Sequence, residues 1–146
     1  MSYLVDTNLL VRLAQPKNPH RREAVRALRT LRRQPESLGI VPQNLVEFWA
    51  VATRPASSNG LGLTIDETSK LIGKLKVLFT LLPESAEIFA EWERIVLQHQ
   101  VFGKQAHDAR LVAAMLVHNV THLLTFNTDD FKRYEGITVV NPSSVQ

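Results

Sequence analysis

Ser2-Tyr3-Leu4-Val5-Asp6-Thr7-Asn8 decides the fold. Ser2–Val5 reads as a short apolar strand. An acid stands at its end, and Asp6-Thr7-Asn8 caps a helix predicted over Leu9–Ala14, which Pro16 and Pro19 terminate. Further acids are read at strand-to-helix junctions at Glu47, at Asp108 and at the Asp129/Asp130 pair. In an open α/β sheet such junctions converge on one edge, where ligands bind. Carboxylates crowded there repel one another unless a divalent cation neutralises them, so the pattern points to Mg²⁺ or Mn²⁺.

Working outward, His20–Arg33 reads as a second helix, with Val25, Leu28 and Leu31 inward and Arg22, Arg26, Arg29 and Arg33 on another face. Leu38–Val41 is a brief strand, and Pro42 opens a helix bearing Leu45, Val46, Phe48, Trp49 and Val51. Arg54–Gly62 reads as a flexible loop. Thr64-Ile65-Asp66-Glu67 has capping-box form and starts a helix to about Lys76, followed by a strand over Val77–Leu82. Ser85–His99 is amphipathic. Gln105–His118 turns apolar all round after Arg110, as expected of a helix buried between sheet and neighbours. His122–Thr125 and Ile137–Val140 read as the last strands, with a polar turn and short helix over Asn127–Tyr134 between them. Strands alternating with helices predict a layered α/β fold with a parallel sheet, and residues 1–146 read as one domain with no repeat or linker.

The totals exclude several classes. The chain has no cysteine, which removes disulfide frameworks, thiolate zinc sites and thiol catalysis. Asp6 interrupts the first apolar run and no basic segment precedes it, so the amino terminus does not read as a signal peptide. Nothing approaches the roughly 18 consecutive apolar residues of a membrane span; the expectation is a cytoplasmic protein that does not contact a membrane. Between Met1 and Gln34, eight Arg/Lys oppose Asp6 and Glu23, an excess that suits a polyanion or an acidic protein segment.

Each acid has a plainer reading. Asp6 and Asp108 can serve as helix caps, and Asp129 and Asp130 as turn residues. Glu47 lies among Val46, Phe48 and Trp49, where a carboxylate is rarely buried without a partner. Together they make a hard-oxygen set without clustered histidines, suited to Mg²⁺ or Mn²⁺ rather than zinc. Helix starts near Asp6, Asp108 and the 129/130 pair favour ionised ligands. Paired metals can activate water against a phosphodiester without a side-chain nucleophile.

Leu4-Val5-Asp6-Thr7-Asn8, the helical Glu47, His107-Asp108-Ala109-Arg110-Leu111-Val112-Ala113-Ala114 and Leu124-Thr125-Phe126-Asn127-x-x-Asp130-Phe131 resemble the successive motifs of PIN-domain ribonucleases. Gly136-Ile137-x-Val139-Val140-Asn141-Pro142 also fits, and the resemblance spans essentially the whole chain. Within that family it is most similar to VapC, the toxin of type II toxin–antitoxin pairs. The resemblance implies a three-layer α/β/α fold around a mostly parallel sheet of four to five strands. It implies a Mg²⁺-dependent endoribonuclease leaving 5′-phosphate and 3′-hydroxyl ends, an RNA substrate, a cognate antitoxin and a homodimer. Asp6, Glu47 and Asp108 carry over as catalytic, metal-binding acids. Many relatives have an acid where Asn127 stands, so Asp130 becomes the fourth carboxylate, with Asp129 in reserve. Thr7 or Asn8 is expected to steady the site, and Thr125 to hydrogen-bond a ligand carboxylate.

Secondary features are assigned more modestly. The arginine stripe is either a site for RNA phosphates or an antitoxin's acidic tail, or a solvated face. His107 is read as positional rather than a general base, and Trp49 and Trp92 as core. Two other functions compete. Asn127 leaves open a degenerate, non-catalytic PIN module that binds RNA or a partner protein. A haloacid-dehalogenase-like phosphatase shares the Asp after the first strand but wants a second Asp where Asn8 stands.

Overall fold

The computed structural model describes residues 2–146. β1 (Ser2–Val5) leads through Asp6 into α1 (Thr7–Leu13), and α2 (His20–Arg33) follows a short proline-bearing turn. β2 (Ser37–Ile40) feeds α3 (Pro42–Thr53), then come α4 (Ile65–Leu78) and β3 (Thr80–Leu81). α5 (Ala86–His99) and α6 (Gln105–Val117) run in succession before β4 (His122–Leu124) and β5 (Thr138–Val140).

All five strands are parallel, in the order β3-β2-β1-β4-β5. The chain winds outward from β1 in one direction through β2 and β3, then returns to the other side of β1 with β4. The order therefore reverses between β1 and β4, where the strand ends splay their following segments apart and leave a crevice. Asp6 leaves β1 on one side of this gap and Thr125 leaves β4 on the other. The Asp6 amide donates to the Leu124 carbonyl at 3.0 Å across it.

Alternation along β1 produces three layers. Tyr3 and Val5 face a core with α1, α2, α3 and α4, which includes Leu10, Leu28, Phe48 and Leu75. Leu4 points the other way, with Leu123, into a core formed by Ile88 and Ile95 of α5 and the buried side of α6. Ala109 and Leu111–Met115 are all buried, which explains why α6 is apolar around its circumference. Burying each large aliphatic side chain stabilises the fold by roughly 1.5–3 kcal/mol, so the two cores hold the sheet from both faces.

Two expectations are corrected. Val77–Leu82 is not a strand: α4 continues through Leu78, and only Thr80 and Leu81 pair, at the sheet edge. The Thr64–Glu67 capping box begins α4 as read, with reciprocal hydrogen bonds of 3.0 Å. Arg54–Gly62 is also not a loosely held loop. The amides of Leu61, Gly62 and Leu63 bond to carbonyls of Val51, Arg54 and Ala52. Gly60 sits so close to Arg54 that a β-carbon there would lie 1.9 Å from its carbonyl oxygen.

Candidate active site

Asp6 is almost wholly buried, and both its oxygens are held. Oδ1 accepts from the Thr7 amide at 2.7 Å; Oδ2 accepts from Thr125 Oγ1 at 2.7 Å and from Asn8 Nδ2 at 3.2 Å. Asn8 also donates to Thr125 Oγ1 and accepts from the Phe126 amide, so one side chain ties the ends of β1 and β4 together. The residue two places after Asp6 is thus a clamp on the carboxylate, which removes the phosphatase reading.

Glu47 lies in the second turn of α3. Pro42 at the start of that helix needs no amide partner, and Asn44 caps it backwards, accepting from the Val41 amide at 2.8 Å. Fully buried Asn44 then donates to Thr7 Oγ1 at 3.1 Å, and Thr7 Oγ1 donates to Glu47 Oε1 at 2.7 Å. Gln43, one turn before Glu47, reaches its Oε2 at 3.0 Å and the His107 carbonyl at 2.8 Å. This chain of bonds couples α1, α3 and the start of α6.

Asp108 stands in the first turn of α6, where the helix dipole favours negative charge. Its position corrects the expectation of a strand-to-helix junction: α6 follows α5, and no strand precedes it. Glu47 likewise lies within a helix rather than at its start. What they share with Asp6 is one edge of the molecule. Asp130 sits in a 3₁₀ turn, Thr128–Phe131, after β4. Asp129, in the same turn, points to solvent and pairs with Lys132 at 2.5 Å.

The electrostatics bind the acids into one group. Burial pushes Asp6 up to about 6, hydrogen bonds from Thr125 and Thr7 oppose the rise, and the charges of Glu47 and Asp130 add to it. Asp108 is pushed up to about 7, by burial first and then by Asp6, Asp130 and Glu47, with Arg133 pulling it down. Glu47 and Asp130 therefore enter the balance of both Asp6 and Asp108, and Asp6 that of Asp108, while Asp129 enters neither. Among the described residues no three His, Asp or Glu side chains form a ready-made metal cage. Mg²⁺ needs none, since it retains several waters and is held by one or two carboxylates. The all-oxygen donors and their mutual repulsion fit such an ion.

Thr7, Asn8 and Thr125 were legible as site residues. Gln43, Asn44 and Arg133 were not; the only available signal was the four-residue step from Gln43 to Glu47 on one helix face. His107 enters through its backbone carbonyl alone among the bonds described. Trp92 packs on the second core and donates to the Ala106 carbonyl, whereas Trp49 is half-buried and joins neither core.

The family model for the PIN domain matches residues 3–137, and the chain belongs to the PIN domain family. It is similar to Ribonuclease VapC1 of Rickettsia felis, 38% identical over 72 residues, which cover 48% of this chain and 53% of that protein. The matched stretch thus spans about half the length of this curated relative. Its fold resembles that of VapBC2 from Rickettsia felis, solved bound to a DNA fragment from their promoter, with a TM-score of 0.72 at 16% identity over 97% of this chain and 98% of that one. VapBC-1 from nontypeable Haemophilus influenzae matches with a TM-score of 0.69 at 16% identity, covering 99% and 100% of the two chains.

Proposed function

We propose that this PIN domain is a divalent-metal-dependent endoribonuclease, the toxin of a toxin–antitoxin pair, acting in the cytoplasm on an RNA phosphodiester. The observation that carries the reading is the gathering of Asp6, Glu47, Asp108 and Asp130 at the sheet's switch point, where burial first and neighbouring negative charge second raise Asp6 to about 6 and Asp108 to about 7. Likeness to Ribonuclease VapC1 supports the activity, and the solved VapBC relatives support an antitoxin partner.

Asp6, Glu47, Asp108 and Asp130 would hold Mg²⁺ or Mn²⁺, which when bound supplies an activated water and neutralises charge at the phosphodiester. Thr7, Asn8 and Thr125 orient Asp6 and keep its lone pairs directed along fixed lines. Thr7 and Gln43 do the same for Glu47. Arg133 lies close enough to Asp108 to favour its ionised form. A homodimer is part of this proposal, and sedimentation of the free protein tests it.

The functional test is cleavage of total RNA by purified protein. Cutting is expected with Mg²⁺ or Mn²⁺, is abolished by chelator, and is lost in Asp6→Asn and Asp108→Asn; cleavage undiminished in both variants refutes the proposal. Asn127, standing where the resemblance expects an acid, favours one competing reading, a binding module without catalysis. Calorimetric titration with Mn²⁺ separates the two, because a degenerate site takes up no metal tightly.

A further inference from the structure

Beside the acids lies a second concavity of about 390 Å³, between α1, α3 and the Arg54–Gly62 loop. It begins at Thr7 and Glu47, so it is continuous with the candidate site. Its floor is aliphatic, from Val11, Val51 and Leu61, and its rim carries two cations, Arg12 and Arg54. Among the described residues that line it, Glu47 alone is acidic. The volume falls within the roughly 300–1,000 Å³ of small-ligand clefts.

The walls are built rather than incidental. Arg12 Nη1 donates to Gln15 Oε1 at 2.9 Å, which holds that guanidinium over the groove. Arg54 Nη2 donates to the Asn59 carbonyl at 3.1 Å, and Asn59 adopts a left-handed conformation with φ 62°. Gly60 cannot be replaced without colliding with Arg54, so the loop packs on the arginine's own backbone. An apolar floor takes the face of a base, the Gln15 Nε2 can donate to its edge while Oε1 is taken by Arg12 and Asn18, and fixed guanidinium forks take phosphate oxygens.

We propose that this groove is the subsite for one nucleotide of the RNA strand, next to the scissile phosphate, and that Arg54 helps select it. The proposal rests on the ribonuclease reading above. A nucleotide is favoured over an acidic peptide because an aliphatic floor beside a cationic rim matches a base joined to a phosphate.

Two measurements on the full chain test it. The first is NMR titration with each of the four nucleoside 5′-monophosphates, with and without Mg²⁺. Amide shifts are expected at Val11, Gln15, Val51 and Leu61. Arg54→Ala should weaken binding about tenfold, the loss of one charge-assisted bidentate contact. Arg54→Lys should recover part of it, since an ammonium keeps the charge but lacks the planar fork.

The second is cleavage of a randomised RNA oligonucleotide pool. Arg54→Ala should alter the preferred nucleotide at one position beside the cut and raise KM several-fold, with kcat within about twofold, as expected when ground-state binding is lost. An unchanged preference, with nucleotide shifts absent from the groove, overturns the subsite while leaving the ribonuclease standing. Groove shifts in a wild-type protein that cuts no RNA support the nucleotide site and overturn the ribonuclease reading instead. Groove shifts with a polyglutamate peptide and none with nucleotides assign the surface to an acidic protein segment and overturn the proposal.

Discussion

Thr125 Oγ1 donates to Asp6 Oδ2 at 2.7 Å, joining the ends of two neighbouring strands that lie 119 positions apart in sequence. This bond, with the Asn8 clamp beside it, fixes the most buried carboxylate of the site. Orienting contacts of this kind typically govern about 10–100-fold of metal affinity or activity. Thr125→Val is therefore expected to lower RNA cleavage by about that factor. Thr125→Ser, which keeps the hydroxyl, should recover most of it. Equal activity in the Val variant contradicts the positioning role.

The acids are expected to cost the metal-free fold stability. Asp108 is raised chiefly by burial and then by three like charges. Asp108→Asn should melt at a higher temperature than wild type at pH 7.5 without metal, while losing cleavage. Thermal scans with chelator measure this, and a lower melting point would show that Asp108 instead makes a contact the fold requires.

The pH dependence follows from the same shifts. Asp6 rises from the ordinary 3.8 to about 6 on folding, so its contribution is fully present below about pH 4 and is lost as pH rises through 6. For Asp6 this amounts to on the order of 2–3 kcal/mol. Asp108 extends the window to about 7. Metal-free wild type should thus gain stability between pH 7.5 and 5 relative to an Asp6→Asn/Asp108→Asn double variant, and Mg²⁺ at pH 7.5 should substitute for the protons. Parallel urea titrations of the two proteins measure this, and a difference that does not change with pH would show that folding does not raise these two carboxyls.

The two adjacent aspartates should behave oppositely. Asp129 forms an exposed pair with Lys132, worth at most about 1 kcal/mol. Asp129→Asn should leave cleavage within about twofold, consistent with a surface position. Asp130→Asn should lower kcat/KM by at least about tenfold, comparable to losing a metal-site partner. Steady-state kinetics on one RNA oligonucleotide decides between them, and the reverse ranking would move the fourth ligand to Asp129.

Asn44 is the structural pin of α3. Asn44→Ala removes the bond from the Val41 amide and the one to Thr7, leaving buried groups unpaired. A loss of about 2–3 kcal/mol is expected in urea unfolding, with the slope unchanged. A loss below about 0.5 kcal/mol would indicate that water replaces both bonds.

How much of this was legible depended on how local each feature is. β1, Asp6 and the Asn8 turn stand in one contiguous run, so pattern and chemistry coincide there. The capping box at Thr64 was readable for the same reason. Val77–Leu82 misled because its apolar residues extend the last turn of α4 and then supply a two-residue edge strand; period alone does not separate them. Asp108 begins a helix that is apolar all round, a pattern that also fits a strand end, but α5 directly precedes α6 and the acid reaches the site from that helical layer. Gln43 and Asn44 act through partners 37 to 64 positions away, which no local pattern encodes.

The pairing of β1 with β4 also sets a schedule. Asp6 leaves the ribosome before its clamp Thr125, which follows 119 residues later. At roughly 5–20 residues per second, synthesis separates the two by about 6–24 s. Throughout that interval the nascent chain carries Asp6, and later Glu47 and Asp108, without the edge that assembles them. A chain interrupted before β4 lacks both Thr125 and Asp130, so the proposed activity is expected to wait for that strand.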